Sequence, residues 1–252
     1  MSDIMISVDN VSMRFNLNRG KVRTLKERLI RKIDDQEDHE GLFSALEQVS
    51  FQVHEGETLG VIGSNGAGKS TLLKVVAGIM KPTTGKVSVQ GTIAPMIELG
   101  AGFDMELSAI ENIHLSGAIL GNKKKDIQPR VAEILDFAEL WDFKDVPLKY
   151  YSSGMLARLA FATSSTITPD VLIVDEILAV GDYDFNQKSL KRMLQLMSGG
   201  TTVMYVSHDL DSVKRLCNRV IWLEHGKIRM DGNAEVVCAS YIEEIKNGKN
   251  NE

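Results

Sequence analysis

The sequence predicts an α/β fold with a mostly parallel sheet, an N-terminal antiparallel β subdomain and a small inserted α-helical subdomain. Strand-like and helix-like segments alternate in the second half of the chain, as in parallel sheets whose strands are joined by crossover helices. The apolar runs Thr58–Ile62 and Val171–Val174 have the length of strands buried on both faces. Residues 107 to about 143 instead carry apolar side chains at helical spacing.

The individual elements follow from the same patterns, beginning with short strands at Ile4–Val8 and Val11–Phe15. We place strands at Ala45–Val53, Lys86–Val89, Thr92–Leu99, Val171–Asp175, Thr201–Val206, Val220–Leu223 and Lys227–Met230. We place helices at Lys69 to about Gly78, Met155–Ser165, Phe185–Met197, Leu210–Leu216 and Tyr241–Ile245. The single predicted domain, 1–252, then has a core (1–100 and 166–245), a helical subdomain (101–165) and a polar tail (246–252).

Composition limits the classes of function. With 252 residues, 43% of them hydrophobic, the chain can bury one core without disulfides or a structural metal. A formal net charge of −5 argues against a nucleic-acid partner, which usually requires a basic face. Cys217 and Cys238 lack metal-site spacing and are expected to be reduced thiols. No export signal or membrane-spanning run is found, so we expect a partner to supply any membrane-spanning part.

Residues 16–41 interrupt the predicted strands with a basic block followed by an acidic block. Residues 22–33 within them form an amphipathic helix whose apolar side consists of Val22, Leu25, Leu29, Ile30 and Ile33. Two interpretations are open. This helix contacts a membrane or a partner, or it packs its apolar side on its own domain.

The segment between the first buried strand and the next helix is a phosphate loop. It reads Gly63-Ser64-Asn65-Gly66-Ala67-Gly68-Lys69-Ser70-Thr71 and fits GxxxxGK[ST] in the required strand–helix context. Its glycines let backbone N–H groups approach phosphate oxygens at a helix N-terminus. We expect Lys69 to contact the β- and γ-phosphates of a nucleotide and Ser70 to bind Mg²⁺. This motif alone does not separate kinases, GTPases, motors and transporters.

Three further polar residues follow buried strands at the sheet edge where ligands bind. Asp175 and Glu176 end the strand that begins at Val171, and they point to opposite faces. We assign Asp175 to Mg²⁺ and Glu176 to the attacking water. His208 follows the strand Thr201–Val206 and is assigned to sensing the γ-phosphate, with a purely structural role as the alternative.

A second anion site is predicted at the start of the helix Met155–Ser165. Tyr151–Met155 opens this helix with a serine as the N-cap and with backbone amides free at its start, so Ser152, Ser153 and Gly154 are the candidate residues. One chain cannot easily use two separate phosphate sites on one nucleotide. The simplest interpretation is a homodimer in which this helix end covers ATP bound by the other chain, and an ordinary N-cap is the alternative.

Together these motifs resemble the ATP-binding-cassette (ABC) family, in order and spacing and over nearly the whole chain. The resemblance implies a P-loop NTPase (RecA-like) core and an ATPase that uses ATP and Mg²⁺. It also implies roles for three more residues. Phe15 occupies the place of an aromatic that stacks on adenine, Glu98 that of a glutamine that contacts Mg²⁺ and water, and Asp182 ends a loop beside the nucleotide.

Three segments resemble, more narrowly, ATP-binding subunits of bacterial exporters of O-antigen, capsule or teichoic acid. They are Glu98–Phe103, the signature segment Tyr151–Met155, and Asp175–Asp182. Ser153, Met155 and Glu98 depart from the usual ABC residues Gly, Gln and Gln, and this subgroup shares the departures. Its insertion, similar to residues 16–41, meets the membrane subunit.

The subgroup resemblance implies a peripheral protein on the cytoplasmic side of the bacterial inner membrane. This protein would bind a second copy of itself and a polytopic permease, without a membrane span or a nucleic-acid partner of its own. Three other functions are compatible with the motifs. They are an ABC transporter ATPase for another substrate, a soluble ABC ATPase of DNA repair or translation, and a nucleotide-operated interaction module with negligible hydrolysis.

Overall fold

The computed structural model of the chain describes residues 3–16, 42–97, 99–119, 121–166, 169–175 and 182–249. Its strands are β1 Ile4–Asn16, β2 Leu42–His54, β3 Thr58–Ile62, β4 Thr84–Val89, β5 Ile93–Met96, β6 Val171–Val174, β7 Thr202–Val206, β8 Arg219–Glu224 and β9 Lys227–Asn233. Its α-helices are α1 Lys69–Val76, α2 Ala109–Ile119, α3 Lys124–Ile127, α4 Val131–Ala138, α5 Ser153–Ser165, α6 Tyr183–Ser198, α7 Leu210–Leu216 and α8 Ala234–Lys249. Short 3₁₀ turns lie at Gln128–Arg130, Trp141–Phe143 and Leu148–Tyr150.

The described strands form two sheets. One is antiparallel, with the order β2-β1-β4, and the other has the order β5-β6-β7-β3-β8-β9. Neighbours in the larger sheet are parallel except for the antiparallel hairpin of β8 and β9. The predicted α/β class, with a separate antiparallel β subdomain and additional helices, is therefore confirmed.

The two faces of the larger sheet pack into different hydrophobic cores. On β6, Val171 and Ile173 pack with the antiparallel sheet and α1, whereas Leu172 and Val174 pack with α5 and α6. Successive strand side chains point to opposite faces, so one apolar run serves both cores. The parallel neighbours β6, β7 and β3 therefore end side by side, and the segments that follow them meet at one edge.

The helices between β5 and β6 bury a cluster of their own. It includes Ile113 of α2, Ile134 and Leu135 of α4 and Leu159 of α5. The Tyr151 hydroxyl donates a hydrogen bond to a backbone carbonyl of the same region, that of Phe143, at 2.7 Å. This cluster supports the proposed helical subdomain 101–165, whose boundaries stay a prediction.

Several predicted element boundaries differ from those in the structure. The two short N-terminal strands are one strand, β1, because the pairing with β2 continues through a register shift where Asn10 has a φ of 48°. Helix α5 begins at Ser153, earlier than predicted, because Ser152 caps it. The first residues of the predicted tail, 246–249, continue α8. The amphipathic helix 22–33 and the last residues, 250–252, lie outside the described residues.

Within the described ranges, every helix is too short or too polar to cross a bilayer.

Candidate nucleotide-binding site

The loop between β3 and α1 approaches neighbouring backbone so closely that two positions require glycine. Gly63 has a φ of 149°, and a Cβ there would clash with the carbonyl oxygen of Leu223 at the end of β8. Gly68 has a φ of 104°, and its Cβ would clash with the carbonyl oxygen of Ala45 in β2. Only glycine adopts these conformations without a side-chain clash. The shape of the phosphate loop is therefore set by its own glycines and by two flanking strands.

Lys69 begins α1 and directs its ammonium into the loop. Its Nζ donates hydrogen bonds to the backbone carbonyls of Gly63 at 2.7 Å and Ser64 at 2.9 Å. The residue is only 7% exposed, and a buried ammonium requires such partners. The positive charge is thus held inside the loop, at the N-terminus of α1, where backbone N–H groups are able to bind an anion.

The loop opens on a cleft of about 230 Å³ that gathers residues from separate parts of the chain. The described residues lining it are Phe43, Ala45, Asn65, Gly66, Gly68, Lys69, Ser70, Thr71, Asp175, Val206 and His208. Gly63, Ser64 and Ala67 complete the loop behind this surface, where Ala67 N–H donates to the Ser64 carbonyl at 3.2 Å. The structure therefore brings together a cation, hydroxyls, a carboxylate and an imidazole.

Strand alternation places Asp175 in this cleft. It lies two residues after Ile173, whose side chain packs on the α1 side of the sheet, so Asp175 shares that side. His208 reaches the cleft from the segment after β7, where the Asp209 carboxylate accepts from Asp211 N–H at 3.1 Å and caps α7. Glu176 and Glu98 lie outside the described residues, and their assigned roles stay predictions.

The aromatic side chain in the cleft wall is Phe43, which the sequence prediction missed. It is 47% exposed and lies two residues before Ala45 on β2, so both face the cleft. Phe15 pairs with Phe43 across β1 and β2, but it is partly buried against the core and does not line the cleft. The available signal was an aromatic residue just before the predicted strand Ala45–Val53.

The signature segment does not contribute to this cleft in the single chain. Ser152 and Ser153 are exposed at the start of α5, and the Ser152 hydroxyl accepts from Met155 N–H at 3.2 Å. If Gly154 carried a Cβ, the one described atom within 4 Å of it would be the Ser152 hydroxyl oxygen, at 3.9 Å. Among the described residues, no other element therefore comes within 4 Å of this side of the first turn of α5.

Asp182 lies outside the cleft as well, at the start of α6. One carboxylate oxygen accepts from Phe185 N–H at 3.0 Å, and the other accepts from the guanidinium of Arg158 on α5. The backbone hydrogen bond from Phe185 is the main reason that the pKa of Asp182 lies below its usual value. Asp182 is thus a helix cap and ion-pair partner within its own chain.

A glycine-rich loop after a buried parallel strand, with a carboxylate at the end of a nearby strand, defines a P-loop nucleoside triphosphatase. Within that class, the family model described as ABC transporter matches residues 46–179. The chain belongs to this family and is an ABC ATPase.

Solved structures show the same fold. A dimeric, post-hydrolysis structure of the ATP-binding cassette MJ0796 bound to ADP and Pi matches with a TM-score of 0.68 and 22% identity, covering 91% of this chain and 99% of that one. The ATP-binding subunit of an ABC transporter matches with a TM-score of 0.70 and 22% identity. The match covers 94% of this chain and 93% of that one. The predicted P-loop NTPase core is thereby confirmed.

Curated relatives include members of the predicted subgroup. The O-antigen export system ATP-binding protein RfbB of Klebsiella pneumoniae is 46% identical over 79% of this chain and 81% of its own length. AbcA, an ABC transporter protein of Aeromonas salmonicida, is 41% identical over 96% of this chain and 77% of its own length. The teichoic acids export ATP-binding protein TagH of Staphylococcus haemolyticus is 35% identical over 98% of this chain and 91% of its own length. The resemblance to O-antigen and teichoic acid export ATPases is confirmed.

Proposed function

We propose that this chain is the ATP-binding and hydrolysing subunit of an exporter that moves a lipid-linked cell-surface polysaccharide, such as O-antigen, capsule or teichoic acid. A separate polytopic permease forms the path, and the chain lies on the cytoplasmic side of the bacterial inner membrane. The observation that carries the ATPase role is the convergence of Lys69, Ser70, Asp175 and His208 on one cleft. The similarity to RfbB and TagH supports the class of substrate.

The residues of the cleft fit ATP with Mg²⁺. The amides of the phosphate loop and the Lys69 ammonium bind phosphate oxygens, as expected where such donors meet at a helix N-terminus. The Ser70 hydroxyl and the Asp175 carboxylate offer the oxygen ligands that Mg²⁺ prefers, and Glu98 is a third candidate. When bound, Mg²⁺ neutralises charge on the phosphates.

Hydrolysis then depends on positioning a water molecule and stabilising charge. Glu176 accepts a proton from the attacking water, and the His208 imidazole contacts the γ-phosphate. Phe43, which lines the cleft, is the first candidate to hold the adenine, and Phe15 is the candidate that the family resemblance supplies. For Asp182, the position beside the nucleotide that the family resemblance implies is part of the same proposal.

The working unit we propose is a homodimer. The phosphate loop and the signature segment lie apart in one chain, and the open surface at Gly154 leaves the α5 amides available to a second molecule. Ser152, Ser153 and Gly154 of one copy cover the γ-phosphate of ATP held by the other. Each ATP site therefore contains residues from both copies.

A permease-docking surface is offered by an apolar groove between β5, α2 and α5. It has a volume of about 200 Å³, and Ile79 and Ile119 at its rim are 48% and 61% exposed. Exposed apolar side chains around a concavity are typical of interaction sites. We assign this groove, together with the amphipathic segment 22–33, to contact with the permease.

The decisive experiment is reconstitution with a candidate polytopic permease, sought among the genes next to the one that encodes this chain. Vesicles containing the complex should release phosphate in a Mg²⁺-dependent manner and translocate the lipid-linked polymer. Glu176→Gln should retain ATP binding and lower turnover at least about 100-fold, because the group that accepts the water proton is lost. Wild-type turnover in that variant would refute its assigned role, and ATPase stimulation without polymer movement would assign another substrate.

A further inference from the structure

We infer that the groove between α6 and α7 is a docking surface for an acidic amphipathic helix of a partner protein. This α6–α7 groove has a volume of about 640 Å³. Its described lining combines apolar side chains with cations, which are Leu190, Leu194, Met197, Leu216, Lys191 and Arg215. The groove is separate from the ATP cleft and from the groove assigned to the permease, so the inference goes beyond the proposed function.

The α6–α7 groove exists because the two helices cover different strands of the larger sheet. Helix α6 packs through Phe185, Met193 and Leu196 into a buried cluster with β5, β6 and β7. Helix α7 packs through Val213 into another buried cluster, with β3 and β8. It approaches β3 closely because Gly60 has no side chain, and a Cβ there would lie 3.1 Å from Val213. A seam therefore remains between the two helices.

Helix α6 carries apolar side chains on its outer side as well as on its buried side. Leu190 and Leu194, one turn apart, are 48% and 39% exposed, and Met197 continues their line along the groove. The outer side of a surface helix is usually polar, and apolar side chains around a concavity mark an interaction site. Anchors spaced by helical turns fit a second helix lying in the groove. Methionine adapts its shape to such a helix.

The charges of the groove determine which kind of helix fits. Lys191 lies on α6 and Arg215 on α7, and both are exposed. Among the residues that the structure describes, neither forms an ion pair, and no carboxylate lines the groove. The chain as a whole has a formal net charge of −5, so a groove with cations alone differs from the rest of its surface. A helix with carboxylates beside its apolar face would pair both cations.

Two other occupants fit less well. If a second copy of the chain docked groove to groove about a two-fold axis, cations would face cations. A lipid surface accepts a helix that lies flat with its apolar face outward, whereas Leu190 and Leu194 line a concavity between two helices. A partner helix satisfies both the shape and the charge of the groove.

The α6–α7 groove lies at the edge of the larger sheet opposite the ATP cleft. Thr58, the first residue of β3, lines the groove, whereas the phosphate loop follows the last residue, Ile62. The length of β3 separates the two sites by roughly 15 Å. A docked helix therefore leaves the cleft accessible to nucleotide.

The first test is photo-crosslinking in living cells that make the full chain, with p-benzoylphenylalanine in place of Leu194. The matched control carries it in place of Ile245, which is 40% exposed on α8 and is not among the groove's described residues. Position 194, and not position 245, should label one segment of another protein. Mass spectrometry should show that this segment has apolar residues at helical spacing and more carboxylates than cations. Labelling of lipid, of a second copy or of a basic segment, or no labelling, would overturn the inference.

The second test uses a synthetic peptide with the sequence of the labelled segment and measures its binding to the purified full chain by fluorescence anisotropy. Replacing both leucines (Leu190→Gln with Leu194→Gln) should weaken binding about tenfold, because the apolar anchors lose their contacts. Reversing both charges (Lys191→Glu with Arg215→Glu) should weaken it about as much. A peptide whose carboxylates are replaced by lysine should prefer the charge-reversed chain. Equal binding to all three chains, or equally tight binding to phosphatidylglycerol vesicles, would contradict a helix-docking groove.

Mg²⁺-dependent ATP turnover separates this inference from the proposed function. Both double variants should keep turnover within about twofold of wild type, because the substituted side chains are exposed and far from the ATP cleft. A large loss of turnover in both would mean that these residues support the fold or the cleft instead of a partner. Absent turnover in the wild-type chain with its permease would refute the proposed function and leave the crosslinking result unaffected.

Discussion

Phe15 and Phe43 are direct partners across β1 and β2, but only Phe43 lines the cleft that contains Lys69 and His208. The two rings share one end of the antiparallel sheet, where Phe15 is partly buried and Phe43 is 47% exposed. An exposed ring beside a phosphate loop presents a flat apolar surface to a base. Phe43 is therefore the better candidate for the adenine contact that the family resemblance places at Phe15.

Phe43→Ala should weaken ATP binding about tenfold, because stacking of a base on an aromatic ring contributes roughly 1–3 kcal/mol. Binding of inorganic tripolyphosphate, which has no base, should be unchanged. Both affinities can be measured by calorimetry. Phe43→Trp should restore ATP binding, and Phe15→Ala serves as the comparison on the paired strand. A larger loss in Phe15→Ala, or an equal loss for both ligands in Phe43→Ala, would contradict this assignment.

The composite ATP site predicts complementation between two inactive variants. Lys69→Ala removes the phosphate contact and Gly154→Asp blocks the signature turn, so each protein alone should lack turnover. In a mixture, the heterodimer pairs the intact loop of one chain with the intact signature of the other. Since half of randomly mixed two-fold dimers contain one such site, about one quarter of wild-type turnover should return. A mixture as inactive as its components would argue against shared sites.

The two cysteines predict a chemical signature of the folded chain. Burial raises the pKa of Cys217 to about 12 and also raises the pKa of Cys238. Because the thiolate is the reactive form, neither should react with a disulfide reagent at pH 8. In denaturant, both cysteines should become exposed and react rapidly with the same reagent. Rapid labelling of the native protein would show that α7 and α8 open readily.

The aromatic triad of Phe137, Phe161 and Phe185 predicts a large stability effect at Phe161, which is fully buried between the other two rings. Phe161→Ala should lower the free energy of unfolding by about 3–5 kcal/mol, because it leaves a cavity as well as losing burial. Denaturant titration measures this quantity. Tyr150→Ala, at a ring 71% exposed, should cost about 1 kcal/mol or less. A loss of similar size in both variants would mean that the triad repacks around the missing ring.

The parts of the fold that could be predicted from the sequence are those with strong periodic signals. The strand Thr58–Ile62 and the helix Leu210–Leu216 have the predicted bounds, because an apolar run between turns and an aspartate cap mark them clearly. Lys69, Asp175 and His208 could be placed at one edge, since parallel strands bring their carboxyl ends together.

Phe43 and Arg158 could not be predicted in the same way. Which β2 side chains reach the cleft depends on register shifts along β1, and these carry no sequence period. Arg158 lies 24 residues before its partner Asp182, and a cation on a helix gives no sign of which carboxylate it will bind. Both assignments required three-dimensional contacts between distant segments.

The hairpin turn between β8 and β9 supports the phosphate loop through a backbone hydrogen bond. Gly226 N–H donates to the Ala67 carbonyl at 3.0 Å, and the Gly226 carbonyl accepts from Glu47 N–H at 2.8 Å. A segment that comes much later in the chain therefore supports this loop. During translation, we expect the nascent chain to remain unable to hold nucleotide until this hairpin has left the ribosome. Prematurely terminated chains that lack it would then not compete with finished ones for ATP.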